Sequence, residues 1–421
     1  MYHNKQHYTP TKYTTRNLHR NFTKIIMRIP KGKAAGPFAD ISDIIRSLTT
    51  HKDTHNNKYP YTKTVYKFFK MIYQAQIPRN IKNTLHQALS LAYTKTPSDL
   101  TKLRPVAVGG GWRRAFTSTI VRDNNHLFTK HLMPYNFAIG VKGGTNFIYH
   151  TLTNEIEHYI HRPKSNIKKT PPTRCLISLD ITNMFNEVSR QKAMEIIDTH
   201  FKHLSPYTKL LLQDPTQCWY LLPDGNWSFF TQNEGLPQGC LFSPVFAALV
   251  LNTIIKPIDK KLRARANERK LNGNLGDDKK GGITNLLAYV DDLISIEDSL
   301  FFCQEFQKLA NSIGLKLNYK KSNILTSTTN TSIIPYISDQ NKRTLQECLK
   351  HFTEGIETTN GTTILGFPIG SKDYIQEKMS KLTKKVDAGF EMIKENLNNI
   401  QTIGQIFNIA LIPKFYYTLC A

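Results

Sequence analysis

Two adjacent carboxylates, Asp291 and Asp292, interrupt the otherwise apolar segment NLLAYVDDLISIED, residues 285–298. Removing an anion from water costs several kcal/mol, roughly, unless a partner compensates, so a pair of anions in this setting requires a cation. The flanking runs LLAYV and LISI predict two strands with the acids at the tight turn between them. Such a turn places both carboxylates at the rim of a sheet, where a metal ion could bind them.

A third acid, Asp180, ends the apolar run RCLISLDI, which predicts a buried strand. Carboxylate oxygens held on rigid elements are the ligands that Mg²⁺ prefers. Two such ions about 4 Å apart can stabilise the attacking and the leaving oxygen of a phosphoryl transfer. Any one of these acids could instead cap the end of a strand, but the combination of three favours phosphoryl-transfer chemistry.

A second pair of adjacent acids gives no such indication. Asp277 and Asp278 lie among Gly, Asn and Lys in the segment NGNLGDDKKGG. Acids in that setting form turns in contact with water. We therefore assign no chemistry to this pair.

The net charge favours nucleic acid as a partner. The chain has 56 Lys and Arg residues against 32 Asp and Glu, a formal charge of +24 over 421 residues. Such a surplus attracts polyanions, although it could also only aid solubility or reflect a biased composition. Residues 1–39 contain no acid and are interpreted as a basic arm, with an organellar transit segment as the alternative.

The cysteines and the apolar runs exclude several classes of protein. Six cysteines are scattered without a C-x-x-C spacing, which predicts neither a zinc site nor a disulfide framework and fits a reducing compartment. The longest apolar run, CLFSPVFAALVLNTII, is interrupted by Ser243, Pro244 and Asn252. Because a membrane span needs roughly 20 apolar residues, we expect no membrane partner.

Hydrophobic periodicity predicts the elements that must position the acids. The predicted helices cover residues 40–94, with a polar loop near 51–62, and residues 113–132, 145–161, 189–202 and 243–270. The other predicted features are a strand in KLRPVAV, a linker over 164–173, and a hairpin in WYLLPDGNWSFFTQ that turns at Asp224-Gly225.

Five segments resemble the palm motifs of reverse transcriptases, most closely those of non-LTR retrotransposons and related elements. They are SLDITNMFNEVSR, GLPQGCLFSP, AYVDD, GLKLNYKKS and LGFPIG, in the order and spacing of that family. Upstream, KGKAAGPFADISD, RPVAVGGGWRRAF and GVKGGTNFIYH resemble the fingers segments of the same family. The similarity covers about residues 30–421.

The resemblance implies an α+β fold, a right-hand polymerase with an antiparallel-sheet palm, mainly helical fingers and a truncated thumb. We therefore expect a basic N-terminal arm over residues 1–39 and fingers over 40–173. The palm is expected over 174–373, with a fingers portion at about 190–232, and the start of the thumb over 374–421.

By resemblance, Asp180, Asp291 and Asp292 are the metal-binding triad. Asp180 and Asp291 are expected to bridge two Mg²⁺ ions, with Mn²⁺ as a substitute and the backbone carbonyl of Ile181 as a further ligand. Lys321 matches a catalytic lysine near the departing pyrophosphate, and its neighbour Lys320 could take that role after a one-residue slip.

The resemblance also implies residues that bind the substrates. Phe185 matches an aromatic residue beneath the incoming sugar that collides with a 2′-hydroxyl and so favours deoxynucleotides; a core phenylalanine is the alternative. Gln238 and Gly239 are expected to contact the nascent base pair and the template, although a plain turn would need the same glycine. Arg104 and Lys102 are expected to grip the triphosphate, with a solvated basic strand as the alternative.

These features together predict an RNA-directed DNA polymerase of a retrotransposable element. It would add dNTPs to the 3′-end of a DNA or RNA primer on an RNA template, and the hairpin LGFPIG would grip the primer end. One alternative is a catalytically inactive nucleic-acid-binding relic, and another is an RNA-directed RNA polymerase. The sequence predicts neither an oligomeric state nor a compartment more specific than an intracellular, nuclear or organellar one.

Overall fold

The computed structural model of the chain describes residues 22, 24–26, 37, 42–52, 60–94, 103–160, 176–271, 286–295, 299–325, 357–359 and 361–413. In its first half the elements are α1 Ser42–Thr50, α2 Pro60–Tyr73, α3 Arg79–Leu85, β1 Gln87–Thr94, β2 Leu103–Gly109, α4 Gly111–Leu132, α5 Gly144–Ile160, β3 Leu176–Ile181, α6 Met184–Glu187, α7 Arg190–His200 and α8 Ser205–Leu212. In its second half they are β4 Thr216–Leu221, β5 Trp227–Gln232, α9 Ser243–Leu271, β6 Leu286–Tyr289, β7 Asp292–Ser295, α10 Ser299–Ala310, β8 Leu317–Leu325, β9 Glu357–Thr359, β10 Gly361–Ile364, β11 Phe367–Gly370, α11 Lys372–Asn396 and α12 Ile400–Ile406.

The chain divides into two compact units, each built from separated segments. The first unit comprises Met1–Leu132, Asn183–Thr253 and Ala310–Leu315. The second comprises Met133–Thr182, Ile254–Leu309 and Lys316–Ala421. All three candidate metal-binding acids therefore belong to the second unit.

The first unit contains a four-stranded sheet in the order β2-β1-β4-β5. Neighbouring strands are antiparallel except for the β1–β4 pair, which is parallel. In the same unit, aromatic side chains of the helices form a core: the ring centroid of Phe69 lies 5.0 Å from that of Phe22 and 5.1 Å from that of Phe116. All three rings are fully buried, as expected for residues spaced along amphipathic helices.

The second unit contains a five-stranded sheet in the order β6-β7-β3-β8-β9. Its pairs are antiparallel except for β8–β9. β3 is the central strand, and it buries apolar side chains on both faces: Leu176 on one, and Ile177 and Leu179 on the other. Leu176 packs with Leu287, Ile294 and other residues in a buried cluster on which the sheet rests.

A short extended segment adds to the free edge of β6. Ala288 N–H donates to the Tyr135 carbonyl at 2.7 Å, and the Ala288 carbonyl accepts the Phe137 N–H at 2.9 Å. Asn136 between them is almost fully buried and forms a parallel bridge with Ala288. The β6–β7 hairpin that carries Asp291 is thus bonded along both of its edges, to residues 135–137 next to β6 and to β3 next to β7.

Most predicted elements in the described residues are confirmed, and the fold is α+β with mainly antiparallel sheets, as expected. The prediction of helix over residues 87–94 is wrong, because this segment forms β1. In QALSLAYT, successive side chains alternate between the two faces of a strand, but the apolar residues also fit the spacing of a helix. Pairing of seven residues with β2 satisfies the backbone hydrogen bonds of this segment and so favours the strand. Helices α8 and α10 were not predicted. The predicted linker at 164–173 and the acids Asp277 and Asp278 lie outside the described residues.

The basic second half of α9 is partly engaged within the protein. Lys261 Nζ lies 2.5 Å from the buried Glu305 carboxylate, and Arg263 Nε lies 2.7 Å from that of Asp259. The Arg265 guanidinium lies 4.2 Å from the centroid of the Phe301 ring. These contacts within the protein engage several of the basic side chains of this segment without a ligand.

None of the described helices has the length and apolar character that crossing a membrane would require.

Candidate active site

The two adjacent acids lie at the tip of a two-residue hairpin turn. The last residue pair of the β6–β7 ladder is Tyr289 with Asp292, so Val290 and Asp291 form the turn. Asp291 is exposed and Asp292 is half-buried. The predicted placement of both acids at the rim of a sheet is confirmed.

The backbone at this turn is strained. Val290 has a φ of 56°, in the left-handed region that β-branched residues avoid. A two-residue hairpin needs a positive φ in its turn, because such turns match the twist of the strands that they join. Here a valine, rather than a glycine or an asparagine, takes that conformation.

Strand pairing brings Asp180 to the same end of the sheet. The β3–β7 ladder pairs Ile177 with Ser295 and Leu179 with Leu293, and the next step in this register places Asp180 opposite Asp292. Directly opposed residues of an antiparallel pair lie on one face, with Cβ atoms roughly 5 Å apart. Asp180 is half-buried, and the next residue, Ile181, is buried and pairs with Leu317.

The acids converge through the backbone, but their side chains do not form a compact cluster. Among the residues that the structure describes, no three His, Cys, Asp or Glu side chains lie close enough together to hold a metal ion. The donor set nevertheless suits Mg²⁺, which takes carboxylate and carbonyl oxygens from rigid elements. Asp180, Asp291, Asp292 and the Ile181 carbonyl are the groups that could hold it.

A bulge lies beside Asp180 on the other neighbouring strand. The β3–β8 ladder pairs Ser178 with Asn323 and then Asp180 with Asn318, so one residue of β3 faces four residues of β8, 319–322. The buried Ser322 lies in this gap. The bulge also contains Lys321, whose side chain is exposed.

In the first unit, Phe185 is tied to the segment that leads to Gln238. The Phe185 carbonyl accepts a hydrogen bond from Leu236 N–H. Gly235 makes this close approach feasible, because it has a φ of 71° and a Cβ there would overlap the Asn186 carbonyl. The Phe185 side chain is half-buried, so it is not one of the core phenylalanines.

The loop of Gln238 and Gly239 is fixed against β2. Ala107 N–H donates to the Gln238 carbonyl at 2.5 Å. Gly239 has a φ of 113°, and a Cβ there would lie 2.7 Å from the Ala107 carbonyl oxygen, so the turn alone requires this glycine. The buried Ser243 hydroxyl donates to the Pro237 carbonyl at 2.9 Å and closes the loop. The glycine is thus explained by packing, and its contact with substrate stays a prediction.

A buried arginine that the sequence analysis did not identify holds the start of this loop. Arg190 donates to the carbonyl oxygens of Gln232, Asp214 and Gly235 at 3.0, 3.1 and 2.6 Å. Burial lowers the pKa of this guanidinium. No local pattern marks this residue as buried, because an arginine in the first turn of a helix usually lies at the solvated surface.

The remaining predicted substrate residues are less constrained. Arg104 is exposed on β2, where it pairs in register with Tyr93. Lys102 and the side chain of Lys320 lie outside the described part of the structure. Arg104 therefore lies on β2, and its predicted contact with the triphosphate stays a prediction.

The segment LGFPIG forms a hairpin that packs against α11. β10 and β11 are joined through Leu365 and Gly366, whose φ values of 51° and 87° suit a two-residue hairpin turn. Gly361 lies directly beneath the Tyr374 ring of α11, with no room for a Cβ. A groove of about 660 Å³ between this hairpin and α11 is lined by four lysines, Lys378, Lys381, Lys384 and Lys385.

Comparisons with known proteins place these features in context. The family model described as reverse transcriptase (RNA-dependent DNA polymerase) matches residues 104–369. No curated protein sequence matches the chain.

Solved structures of yeast telomerases are similar at low identity. Apo telomerase from Candida tropicalis, truncated from its C-terminal domain, is 13% identical, with 78% of this chain and 63% of that chain covered and a TM-score of 0.44. Telomerase from Candida albicans, in complex with a TWJ fragment of telomeric RNA, is 11% identical, with coverages of 74% and 50% and a TM-score of 0.40. The chain thus spans between half and 63% of the length of these two structures.

The family model extends from Arg104 through Ile369, and so includes β3, the acidic hairpin, the bulged strand and most of the final hairpin. This match covers more than half of the chain. The chain belongs to the reverse transcriptase (RNA-dependent DNA polymerase) family.

Proposed function

We propose that this chain is an active reverse transcriptase that copies an RNA template by extending a DNA or RNA primer with dNTPs. The observation that carries the proposal is the β3–β7 register, which leads Asp180 to the position opposite Asp292. Residues more than a hundred positions apart thereby meet at one end of one sheet. A strand-end cap would explain one such acid but not three.

The proposed reaction is a nucleotidyl transfer. The primer 3′-oxygen forms a bond to the α-phosphorus of the dNTP, the bond from that phosphorus to the pyrophosphate oxygen breaks, and the hydroxyl proton passes to water. Two Mg²⁺ ions held by Asp180, Asp291, Asp292 and the Ile181 carbonyl would supply charge neutralisation at the attacking and leaving oxygens.

The chain's own groups position the substrates and move one proton. The exposed Lys321 ammonium is proposed to donate a proton to the departing pyrophosphate. Arg104 is proposed to hold the triphosphate, together with Lys102, and Gln238 and Gly239 the nascent base pair. Such catalysis depends mainly on orientation, which a rigid sheet provides.

Selection of deoxynucleotides is assigned to Phe185. The half-buried side chain supports this role, because a core phenylalanine would be fully enclosed, like Phe69 or Phe116. An RNA polymerase of similar architecture would need a polar group there to accept the 2′-hydroxyl. The side chain of Phe185 offers none, which favours DNA as the product.

Nucleic acid is the proposed partner of the lysine-lined groove. The four lysines on one face of α11 border the hairpin that resembles the primer grip, and the formal charge of the chain is +24. Phosphates bound there would be neutralised with release of counterions. An origin in a retrotransposable element is proposed from the motif resemblance.

Primer extension on poly-rA with oligo-dT tests the proposal. The wild type is expected to incorporate dTTP with Mg²⁺, to lose activity when Mg²⁺ is chelated, and to use UTP poorly. Asp291→Asn should abolish extension while nucleic-acid affinity stays nearly unchanged. The double variant Asp277→Asn/Asp278→Asn removes the other pair of adjacent aspartates and serves as the matched control.

Each rival has its own outcome in this assay. Affinity for primer–template without extension by the wild type would favour the inactive nucleic-acid-binding relic. Predominant incorporation of UTP would favour an RNA-directed RNA polymerase. Equal extension by Asp291→Asn and wild type would refute the proposed metal-binding role.

A further inference from the structure

The bulge in β8 leaves a gap in the regular strand pairing beside Asp180. Pairing is regular up to Ser178 with Asn323 and resumes at Asp180 with Asn318. The N–H of Asp180 and the carbonyl of Asn318 thus lie at the step where the pairing register shifts. Bulges of this kind re-aim side chains and are common next to active sites.

One side chain closes this gap. The Asp180 N–H donates to Ser322 Oγ at 3.1 Å, and the Ser322 hydroxyl donates to the Asn318 carbonyl at 2.8 Å. Ser322 is 0% exposed, so water does not compete for either bond. The hydroxyl acts as acceptor and donor at once, which no apolar side chain of similar size could do.

We propose that Ser322 is a positioning residue of the polymerase site, which sets the backbone of Asp180 and the bulge that presents Lys321. This inference rests on the proposed function of Asp180. Ser322 lies next to Lys321 in the chain, and its hydroxyl joins that segment of β8 to β3. One hydroxyl thus fixes the relation between a carboxylate proposed to bind metal and a lysine proposed to donate a proton.

A second buried serine of the same sheet provides a matched comparison. Ser295 on β7 is also 0% exposed, but its hydroxyl has no hydrogen-bond partner among the described residues. It pairs with Ile177 and Leu286, away from the acidic end of the sheet. Replacing either serine with alanine removes one buried hydroxyl oxygen. Only Ser322→Ala also removes the two hydrogen bonds that link Asp180 and Asn318.

The test compares Ser322→Ala with Ser295→Ala in steady-state primer extension on poly-rA with oligo-dT. We expect Ser322→Ala to lower kcat by about 10- to 100-fold, because misplacement of a reacting group by about 1 Å has that effect. The Mg²⁺ concentration for half-maximal rate should rise, whereas the KM for dTTP should change little. Ser322→Thr, which keeps the hydroxyl, should restore most of the rate, and Ser295→Ala should match the wild type.

Hydrogen exchange at the Asp180 amide is the readout that does not require activity. The Asp180 amide should exchange faster in Ser322→Ala than in the wild type or in Ser295→Ala. The comparison is made at temperatures equally far below the thermal unfolding midpoint of each protein. If Ser322→Ala does not fold, Ser322→Cys keeps nearly the same volume with a weaker hydrogen-bonding group and should show the same two defects. Unchanged kcat, Mg²⁺ requirement and Asp180 exchange in a folded variant would overturn the proposal.

The outcomes separate this inference from the proposed function. If the wild type is active, Asp291→Asn is inactive and Ser322→Ala is fully active, then the proposed function stands and the role of Ser322 is wrong. If the wild type itself does not extend a primer, the proposed function is wrong and the catalytic role of Ser322 falls with it.

Discussion

At the scale of single residues, the acidic hairpin depends on a valine in an unfavourable conformation. Val290, at φ 56°, precedes Asp291 and fixes the direction in which the turn presents it. Residues held in such conformations cost of order 1–3 kcal/mol and are frequent at functional sites. The strain persists because β3 pairs with β7 on one side of the hairpin and residues 135–137 bond to β6 on the other.

We therefore expect Val290→Gly to raise the free energy of unfolding and to lower the rate of primer extension. Relief of strain, less the greater freedom of glycine in the unfolded chain, should give a net gain of about 1 kcal/mol. The rate should fall because the turn becomes more mobile. Denaturant unfolding and single-turnover extension measure the two effects.

Ala75 supplies the control for this prediction. It also has a positive φ, 54°, in a turn after α2 and outside the proposed site. Ala75→Gly should gain stability for the same reason and leave the extension rate unchanged. A loss of stability in Val290→Gly would show that the valine side chain contributes more than its backbone conformation costs.

Phe185 gives a second prediction at this scale. Phe185→Ala should raise the ratio of UTP to dTTP incorporation by roughly tenfold or more, because removal of a steric barrier admits the 2′-hydroxyl. Competition assays with both nucleotides measure the ratio. Phe230→Ala removes a ring of the same size from the exposed face of β5 and should leave the ratio unchanged. An unaltered ratio in Phe185→Ala would assign nucleotide selection to another residue.

Some residues of the site could be predicted from sequence and others could not. Asp291 and Asp292 were identifiable because apolar strand formers flank them, and Asp180 because it ends a buried strand. Ser322 and Arg190 were not, because their roles depend on which backbone groups the fold brings beside them. A serine after two lysines gives no local signal of a bulge that arises from pairing with a strand more than a hundred residues away.

At the scale of elements, α11 and the hairpin β10–β11 form the groove proposed to bind the primer. Tyr374 packs on Gly361, and its hydroxyl lies 3.2 Å from the Thr363 hydroxyl, which fixes the helix on the hairpin. Lys384 and Lys385 line the groove further along the helix. Lysines held in this way by a rigid helix can follow a phosphate backbone.

The double variant Lys384→Ala/Lys385→Ala should weaken binding of a primer–template duplex. The slope of log K against log salt should fall by up to about two, because each lysine releases about one counterion. Fluorescence anisotropy over a series of salt concentrations measures both quantities. Lys394→Ala, which removes a lysine of the same helix paired with Glu391 and outside the groove, should leave both unchanged. Equal losses in the two variants would indicate a general charge effect.

A histidine at the junction of α3, β1 and β4 predicts how stability depends on pH. Burial, with the neighbouring Arg113 as the next cause, lowers the pKa of His86 to about 4. In the unfolded chain the pKa is about 6.5. Above that value the imidazole is neutral in both states, and below it the unfolded chain gains a proton that the folded chain does not.

Stability should therefore be lost as the pH falls from 6.5 towards 4, with a contribution from His86 of about 2 kcal/mol at pH 5. In His86→Gln this contribution is absent, so the free energy of unfolding should fall by about that much less between pH 7 and pH 5. Urea unfolding at each pH measures it. Parallel profiles for His86→Gln and wild type would contradict this assignment.

Long helices with a regular apolar spacing were predictable from the sequence. Short segments whose apolar residues fit both the helical and the strand period were not. Helices α4, α5 and α9 follow from apolar spacing over many turns. β1 was predicted as helix because leucines and alanines in QALSLAYT satisfy both spacings, and only pairing with β2 and β4 decides between them. α10 has an apolar stripe in SLFFCQEFQKLA that could have revealed it.

At the scale of the whole molecule, charge and family membership agree with the proposal while the mechanism depends on local geometry. A formal charge of +24 indicates a polyanionic partner but not a reaction. Membership of the reverse transcriptase family indicates the reaction class. In the proposed mechanism, the groups that would bind metal are positioned by the sheet that brings Asp180 to the hairpin of Asp291 and Asp292.

The most direct test of this claim is Mn²⁺ binding, followed by electron paramagnetic resonance. The sample is the full chain with dTTP and a poly-rA template paired to an oligo-dT primer that ends in a 3′-deoxynucleotide. Asp180→Asn and Asp291→Asn should each weaken Mn²⁺ binding by about tenfold or more, and the double variant should lose less than the sum of the two effects because both residues serve one site. Asp277→Asn should bind like the wild type. Undiminished Mn²⁺ binding in either single variant, or fully additive losses in the double variant, would contradict the shared site.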